Sequence, residues 1–474
     1  MRHNAVRIRA FVTGLMAATA LSACATLPPD ATARTAKAPQ SYATAQSLTA
    51  PDRDWPADAW WTAYGDAQLN TLVGEALAGS PTLAVAQARI RKAVASEEHS
   101  RLYPTLSANA SAKEDKESYN AGIPAAFVPH GYNDYGRATL DFSWELDFWG
   151  KNRAAVAALT SQTRAAEADA AEARLMLSTN VAAAYADLAR LYAERDVAAR
   201  SMDLQGETSK LVKSRVDNGL DTLGEQRQAE AEPLQAKADL DAIDEQIALT
   251  RNALAALLGA GPDRGLAIAR PTVGALKPLG LPSQIAASLV GRRPDITAAR
   301  WRAESATQRI RQAKAEFYPD INLVAFIGLQ SLKLDKLTAS GSDIGSVGPA
   351  ISLPIFNGGH LKANLRGAEA DRDAAVASYD AAVTEAFRQV ADVVASSRSL
   401  QSQVTDSRAA LAASEDAYRI AKLRYQGGLS TYPAVLLAEQ GVLKRRRTVA
   451  DLDARALALD VQLVRALGGG FHAS

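Results

Sequence analysis

Three carboxylates crowd into ATLDFSWELDFWGK (138–151): Asp141, Glu145 and Asp147. Paired carboxylates serve general acid/base hydrolysis. On an extended strand, however, Asp141 and Glu145 share a face about 13 Å apart at about 3.3 Å per residue, too far for two-carboxylate geometries. The histidines, at positions 3, 99, 130, 360 and 472, are scattered, and no H-E-x-x-H places two on one helical face. There is no G-x-S-x-G, no Walker A and no dinucleotide fingerprint. GAGPDRG (259–265) has its glycines at the wrong spacing to cradle phosphate and reads as a loop. No enzyme is expected, and no cofactor or metal.

Cys24 is the residue whose surroundings specify a reaction. It is the only cysteine, so it cannot form an internal disulfide. Arg2, Arg7 and Arg9 precede the apolar run AFVTGLMAATAL (10–21), which has signal-peptide length and falls short of the roughly 20 residues a spanning helix needs. LSAC (21–24) then sets small residues before the thiol, as in a bacterial lipobox. Residues 1–23 are therefore expected to be a signal peptide, with diacylglycerol and an N-acyl group on Cys24. A buried free thiol would leave the signal-like segment without a purpose. Several acyl chains anchor stably where one binds reversibly. Ala25 in place of Asp favours, by analogy with enteric sorting, the outer membrane. Residues 24–50, rich in Pro, Ala, Ser and Thr, read as a lipidated tether. Lys and Arg number 53 against 52 Asp and Glu, which gives no reason to expect nucleic acid.

The carboxylates sit on an alternating strand. Leu140, Phe142, Trp144, Leu146 and Phe148 fall on one face, and Thr139, Asp141, Ser143, Glu145 and Asp147 on the other. Such a strand separates an apolar medium from a polar one. The chain is also duplicated. RLYPTLSANAS (101–111) recurs as EFYPDINLVAF (316–326), LDFWGK (146–151) as LPIFNGG (353–359), SRVDNGLDT (214–222) as LRYQGGLST (423–431), and ALLGAG (256–261) as RALGGG (465–470). The first copy, 51–261, is expected to hold strands about 104–113 and 137–148 and long helices about 151–217 and 221–258. A linker or equatorial segment, 262–291, follows. The second copy, 292–470, is expected to hold strands about 320–330 and 346–356 and long helices about 360–426 and 431–467.

Four strands of this length suit a tilted membrane strand, but they cannot close a barrel, and an open edge cannot exist in lipid. Either the sheet is an ordinary soluble one or several chains share a barrel. Each longest helix would reach about 100 Å at 1.5 Å per residue. Val435, Val442, Val449, Ala456 and Leu463 recur every seventh residue, beside Leu436, Leu443, Ala450, Leu457 and Val464. Leu177, Val181, Tyr185, Leu188 and Tyr192 step by four and three. These spacings predict coiled-coil packing with neighbours on two sides.

LSAC, WWTAYGDAQLNTLVGEAL (60–77), SPTLAVAQARI (80–90), the paired YP, WELDFWGK (144–151), RRPDITAAR (292–300), LPIFNGG and RYQGGLSTYPAVLLAEQ (424–440), in this order, resemble the TolC/OprM-type outer membrane factors of the NodT-like lipoprotein branch. The resemblance implies an α/β membrane protein: a homotrimer with a 12-stranded outer-membrane β-barrel, four strands per chain, continued by a long periplasmic α-helical barrel. It implies an outer-membrane exit duct of a Gram-negative bacterium, lipid-anchored and extending into the periplasm. The duct would passively conduct drugs, metals or toxic organics from an inner-membrane pump, usually of the resistance-nodulation-division type, through a periplasmic adaptor. A protein-secretion outlet and a non-transporting structural lipoprotein are the alternatives. In a shared barrel Leu140, Phe142, Trp144 and Leu146 would face lipid, and Asp141, Glu145 and Asp147 the lumen. By resemblance Arg215, Gly219, Leu220, Asp221 and Glu225, with Arg424, Tyr425, Gly428, Leu429 and Ser430, form the periplasmic aperture and adaptor-docking tips. Asp221 and Glu225 would each form a ring of three carboxylates, or else be solvated helix N-terminal charges. Tyr425 resembles a gating tyrosine, or packs between helices. Ala434 and Leu437 stand where some relatives carry aspartates, so any acidic constriction belongs to the first copy.

Overall fold

The structure is a computed structural model that describes residues 27–29, 32–99, 103–120, 122, 124–273, 280–283 and 285–473. The signal peptide and Cys24 lie outside the described residues. In chain order the main elements are α1 (Ala67–Gly79), α2 (Pro81–His99), β1 (Thr105–Asp115), β2 (Asn133–Glu145), α3 (Lys151–Asp217), α4 (Leu223–Leu257), α5 (Ile285–Arg292), α6 (Pro294–Ala315), β3 (Asp320–Ser331), β4 (Asp343–Ser352), α7 (His360–Gln426) and α8 (Tyr432–Ala466). The duplication is preserved in length: α3 and α7 each have 67 residues, α4 and α8 each 35. None of the described helices is long and apolar enough to cross a membrane.

The chain packs as two compact units, and each draws on both copies. One comprises the described residues up to 35, with 91–164 and 300–377, and contains the strands. They form one antiparallel sheet in the order β1-β2-β3-β4. Leu106 pairs with Phe142, Phe142 with Ala325, and Ala325 with Val347, so the apolar residues of all four strands share a face. Ser107, Asn109, Thr139, Asp141 and Asn322 share the other. The weaker alternation of β3 is accommodated locally, because the Arg137 guanidinium lies 5.3 Å from the Phe326 ring on the polar face. Among the described residues most of the apolar face is uncovered: Leu106, Ile327 and Val347 are 70%, 67% and 76% exposed. A soluble sheet buries its apolar face, so this one is built for another medium. Among the described residues β1 and β4 each keep an unpaired edge.

β2 ends three residues earlier than its alternation suggests. Leu146, assigned above to the lipid face, lies beyond the strand, although its N–H still donates to the Ile321 carbonyl at 2.8 Å. Asp147 is not a luminal carboxylate. It turns back to cap α3, accepting from the N–H groups of Asn152 (3.3 Å) and Arg153 (2.9 Å). The reason is local, since a helix start leaves backbone donors unsatisfied and a carboxylate answers them. Lys151 ties strand ends to helix start by bridging Glu145 (2.6 Å) and Asp320 (2.9 Å). Trp149 stacks on Tyr318 with centroids 4.9 Å apart and donates to the Pro319 carbonyl. In this unit the Arg34 N–H also donates to Asp373 on α7 at 3.0 Å.

The other unit, residues 36–90, 165–299 and 378–474, is a helical bundle. Leu177, Val181, Tyr185 and Leu188, the residues stepped by four and three, meet Leu69, Leu72 and Val73 of α1, Leu254 of α4, and Leu457 and Val464 of α8. The sevenfold rows of α8 are buried at both ends, but Val449, Ala450 and Ala456 are only half-buried. Trp60 and Trp61, just ahead of α1, complete the cluster. The segment 37–49 follows α7: the Lys37 N–H donates to Asp380, Tyr42 packs on Phe387, and Arg398 donates to the Thr49 carbonyl. Asp66 fastens α1 to this bundle. It accepts from the N–H groups of Gln68 and Leu69, from the Tyr185 hydroxyl at 2.7 Å and from the Thr272 N–H at 2.8 Å.

Asp66→Ala removes a helix cap and leaves the buried Tyr185 hydroxyl short of its acceptor. We expect a loss of about 2–3 kcal/mol, read as a lowered thermal midpoint of the purified protein.

Candidate functional site

The two tips, where α3 meets α4 and α7 meets α8, are built alike. Gly219 and Gly428 sit at φ 72° and 73°, a left-handed conformation in which a side chain would be strained. The Gly219 N–H donates to the Val216 carbonyl, and that of Leu220 to the Arg215 carbonyl. Gly428 and Leu429 repeat both bonds to Tyr425 and Arg424. Each pair closes the last carbonyls of its helix in a Schellman motif. Thr222 caps α4 and Thr431 stands at the N-cap of α8.

Beyond that shared frame the copies diverge. Arg215 grips Asp221 through Nε at 2.9 Å and Nη2 at 3.3 Å, and donates through Nη1 to the Tyr425 carbonyl at 2.9 Å. Its guanidinium lies 4.4 Å from the Tyr425 ring centroid, and the Tyr425 hydroxyl donates to Asp221. Three groups thus form a closed network that crosses from the first hairpin to the second. The Asp221 side chain is 7% exposed and the ring of Tyr425 is fully buried against Val212, Ala229, Tyr432 and Val435. Burial first, then the hydrogen bond to Asp221, pushes the Tyr425 hydroxyl well above its usual range, against the pull of Arg215. At the matching positions the second copy has Arg424, Ser430 and Ala434, and the first has Val216 in place of Tyr425.

This arrangement corrects one expectation. Asp221 is not an open carboxylate available for a ring, because its charge is met inside its own chain by Arg215 and Tyr425. Glu225 is committed too: it closes a capping box, accepting from the Thr222 N–H at 2.9 Å while its own N–H donates to Thr222 Oγ1. The apolar members of the tips are free, with Leu220 and Leu429 63% and 74% exposed. On the sheet, Asp141 accepts from Asn109 Nδ2 of β1 at 2.9 Å and from Thr139 Oγ1 of its own strand at 2.8 Å, opposite the face of Leu140, Phe142 and Trp144. The joining of Arg215 to Tyr425 escaped the sequence reading. The signal was the repeat offset, which sets Arg215 level with Arg424, one residue before the tyrosine.

The chain matches the family described as outer membrane efflux protein over residues 72–260 and 286–469, one segment per copy. It is 30% identical to the multidrug resistance outer membrane protein MdtP of Escherichia coli strain K12 over 96% of this chain and 95% of that one. It is 36% identical to the fusaric acid resistance protein FusA of Burkholderia cepacia over 335 residues, 68% of this chain and 62% of the relative. The crystal structure of VceC from Vibrio cholerae superposes with a TM-score of 0.83 at 46% identity, covering 88% of this chain and all of that one. The chain belongs to the outer membrane efflux protein family. Its fold is that of the trimeric outer-membrane channels with a periplasmic helical barrel, and it serves as the exit duct of a tripartite efflux system, together with an adaptor and an inner-membrane pump.

Arg215→Ala leaves the Asp221 carboxylate buried and unpaired, a defect that costs about 3–5 kcal/mol. Glu225→Ala loses only a cap, about 1 kcal/mol. Thermal unfolding of the two variants should separate them in that order.

Proposed function

We propose that the paired helix ends are the periplasmic aperture of this duct and that Arg215, Asp221 and Tyr425 are its latch. The closed network across the two hairpins is the observation that carries this reading. Parting the hairpins pulls Tyr425 away from the buried Arg215–Asp221 pair, breaking its hydroxyl bond to Asp221 and its carbonyl and ring contacts with Arg215, so the shut state is favoured until something supplies the difference. The exposed leucines of the tips give an adaptor an apolar surface to engage, and its binding energy can replace what the latch loses. The pump, by this reading, is of the resistance-nodulation-division type. Leu140, Phe142 and Trp144 face lipid, while Asp141 and Glu145 line a water-filled lumen. The cargo is small molecules such as drugs, metals or toxic organics, and the duct itself is permissive.

Acylation of Cys24 belongs to the same reading. Arg34 is held at Asp373, and Arg372 donates to the Arg34 carbonyl at 2.9 Å. Asp373 lies thirteen residues past His360 at the top of α7, about 20 Å of helix. The ten residue steps from Cys24 to Arg34 can extend about 33 Å. A lipid on Cys24 therefore reaches back to the level of the strand ends, where the membrane surface lies.

Planar-bilayer recordings test the latch: the double variant Arg215→Ala/Tyr425→Phe should raise resting conductance at least severalfold over the parent. Conductance equal to the parent's would remove the latch role. Separately, Cys24→Ser should abolish incorporation of labelled fatty acid, and persistent labelling would show that Cys24 is not the acylated residue.

A further inference from the structure

Glu439 lies seven residues into α8 from Tyr432 and is 1% exposed. One carboxyl oxygen, Oε2, is 3.3 Å from Thr208 Oγ1 on α3, and the other, Oε1, has no partner among the described residues. Thr208 Oγ1 is also 3.1 Å from the Leu204 carbonyl. A hydroxyl has one proton. Thr208 donates it to Glu439 Oε2 and shares it with the Leu204 carbonyl, so an ionised Glu439 would bury its charge with a single shared donor.

The groups around it sharpen the point. Tyr418 and Lys422 face it from α7, Glu232 from α4, Glu207 lies beside Thr208 on α3, and Tyr432 shares its own helix. Lys422, the cation nearby, is drawn 4.0 Å from Glu207, and Glu232 adds like charge. Burial is the main cause that pushes the Glu439 carboxyl up to about 7. The Thr208 bond opposes it, Glu232 reinforces it, and Lys422 opposes it. Next to Glu232 stands Pro233, inside α4. Proline removes the N–H that would close on the Ala229 carbonyl, so α4, though continuous, lacks one hydrogen bond where it faces Glu439. Ala229 is buried in the same cluster as Tyr425 and Tyr432.

We propose that Glu439 is a proton-operated brake on the helix ends: protonated it lets α3, α4, α7 and α8 pack shut, and ionised it drives α4 outward at Pro233 against Glu232. This rests on the reading of the helix ends as an aperture. The shut state holds a proton that a solvated carboxyl would release, so it binds more protons than the open one. Its advantage is complete below the ordinary carboxylate range and is lost as pH rises through about 7, by up to about tenfold per pH unit per chain. α3, α4 and α8 contain no histidine, and on α7 only His360, its first residue, is one. Titration near neutrality at this place therefore falls to Glu439.

The experiment is resting conductance of the full-length protein in planar bilayers from pH 5.5 to 8, in the parent, Glu439→Gln, Glu232→Gln and the latch variant Arg215→Ala/Tyr425→Phe. The parent should conduct more as pH rises. Glu439→Gln, which keeps the shape and removes the titration, should stay low across the range. Glu232→Gln, which removes the like charge that ionised Glu439 works against, should level off at lower pH and at lower conductance than the parent. A parent-like profile in Glu439→Gln, or an unshifted one in Glu232→Gln, overturns the brake. If the latch variant conducts no better than the parent at any pH, the aperture reading falls and the brake with it. If the latch variant opens while Glu439→Gln follows the parent, only the brake falls.

Discussion

Hydrocarbon offers no partner to a backbone N–H or C=O, and the structure of this chain follows from that fact. Four strands satisfy one another through β1-β2-β3-β4 and leave two edges. In water such edges are a liability; in lipid each unpaired group costs several kcal/mol. Three chains, edge to edge, remove all of them at once. The same medium explains why Leu106, Ile327 and Val347 are left uncovered by their own chain while Asn109, Thr139 and Asp141 bond to one another on the opposite face.

Duplication then explains the economy of the rest. Two copies with helices of equal length give two hairpins whose tips end in the same hydrogen-bonded turn, so that small differences in sequence at one level become a function. The first copy supplies Arg215 and Asp221, the second Tyr425, and neither could form the network alone. Asymmetry placed on a symmetric frame joins one hairpin to the other. Pro233 extends that pattern, since Val442 stands at the equivalent position; Glu439 has a counterpart in Glu230, but Glu230 is held by Gln226 and Arg227 while Glu439 is buried.

Much of this was legible in the sequence. Period-two alternation, sevenfold spacing and the internal repeat identified the strands and the long helices, because those patterns report which face an element buries. The ends of elements were less legible. Asp147 continues the alternation of β2 in sequence, yet the unsatisfied N–H groups of Asn152 and Arg153 claim it for α3. Asp221 and Glu225 look like free acids at a helix start, and pattern cannot tell a solvated carboxylate from one held by Arg215 or by Thr222. Those assignments depend on contacts between residues about 200 positions apart, as with Arg215 and Tyr425, or on a cap three residues long. Neither has a period to detect.

The central claim is that β1 of one chain pairs with β4 of the next. Cysteines placed at Ser107 and Ser346, both on the polar face, test it with a bifunctional thiol reagent of about 8 Å, shorter than the roughly 14 Å that three strand spacings put between β1 and β4 of one sheet. With both cysteines in each chain, denaturing gels should show a ladder ending at the covalent trimer, and neither single substitution should produce it. Cross-links confined within one chain, or none at all in assembled protein, would contradict the shared barrel.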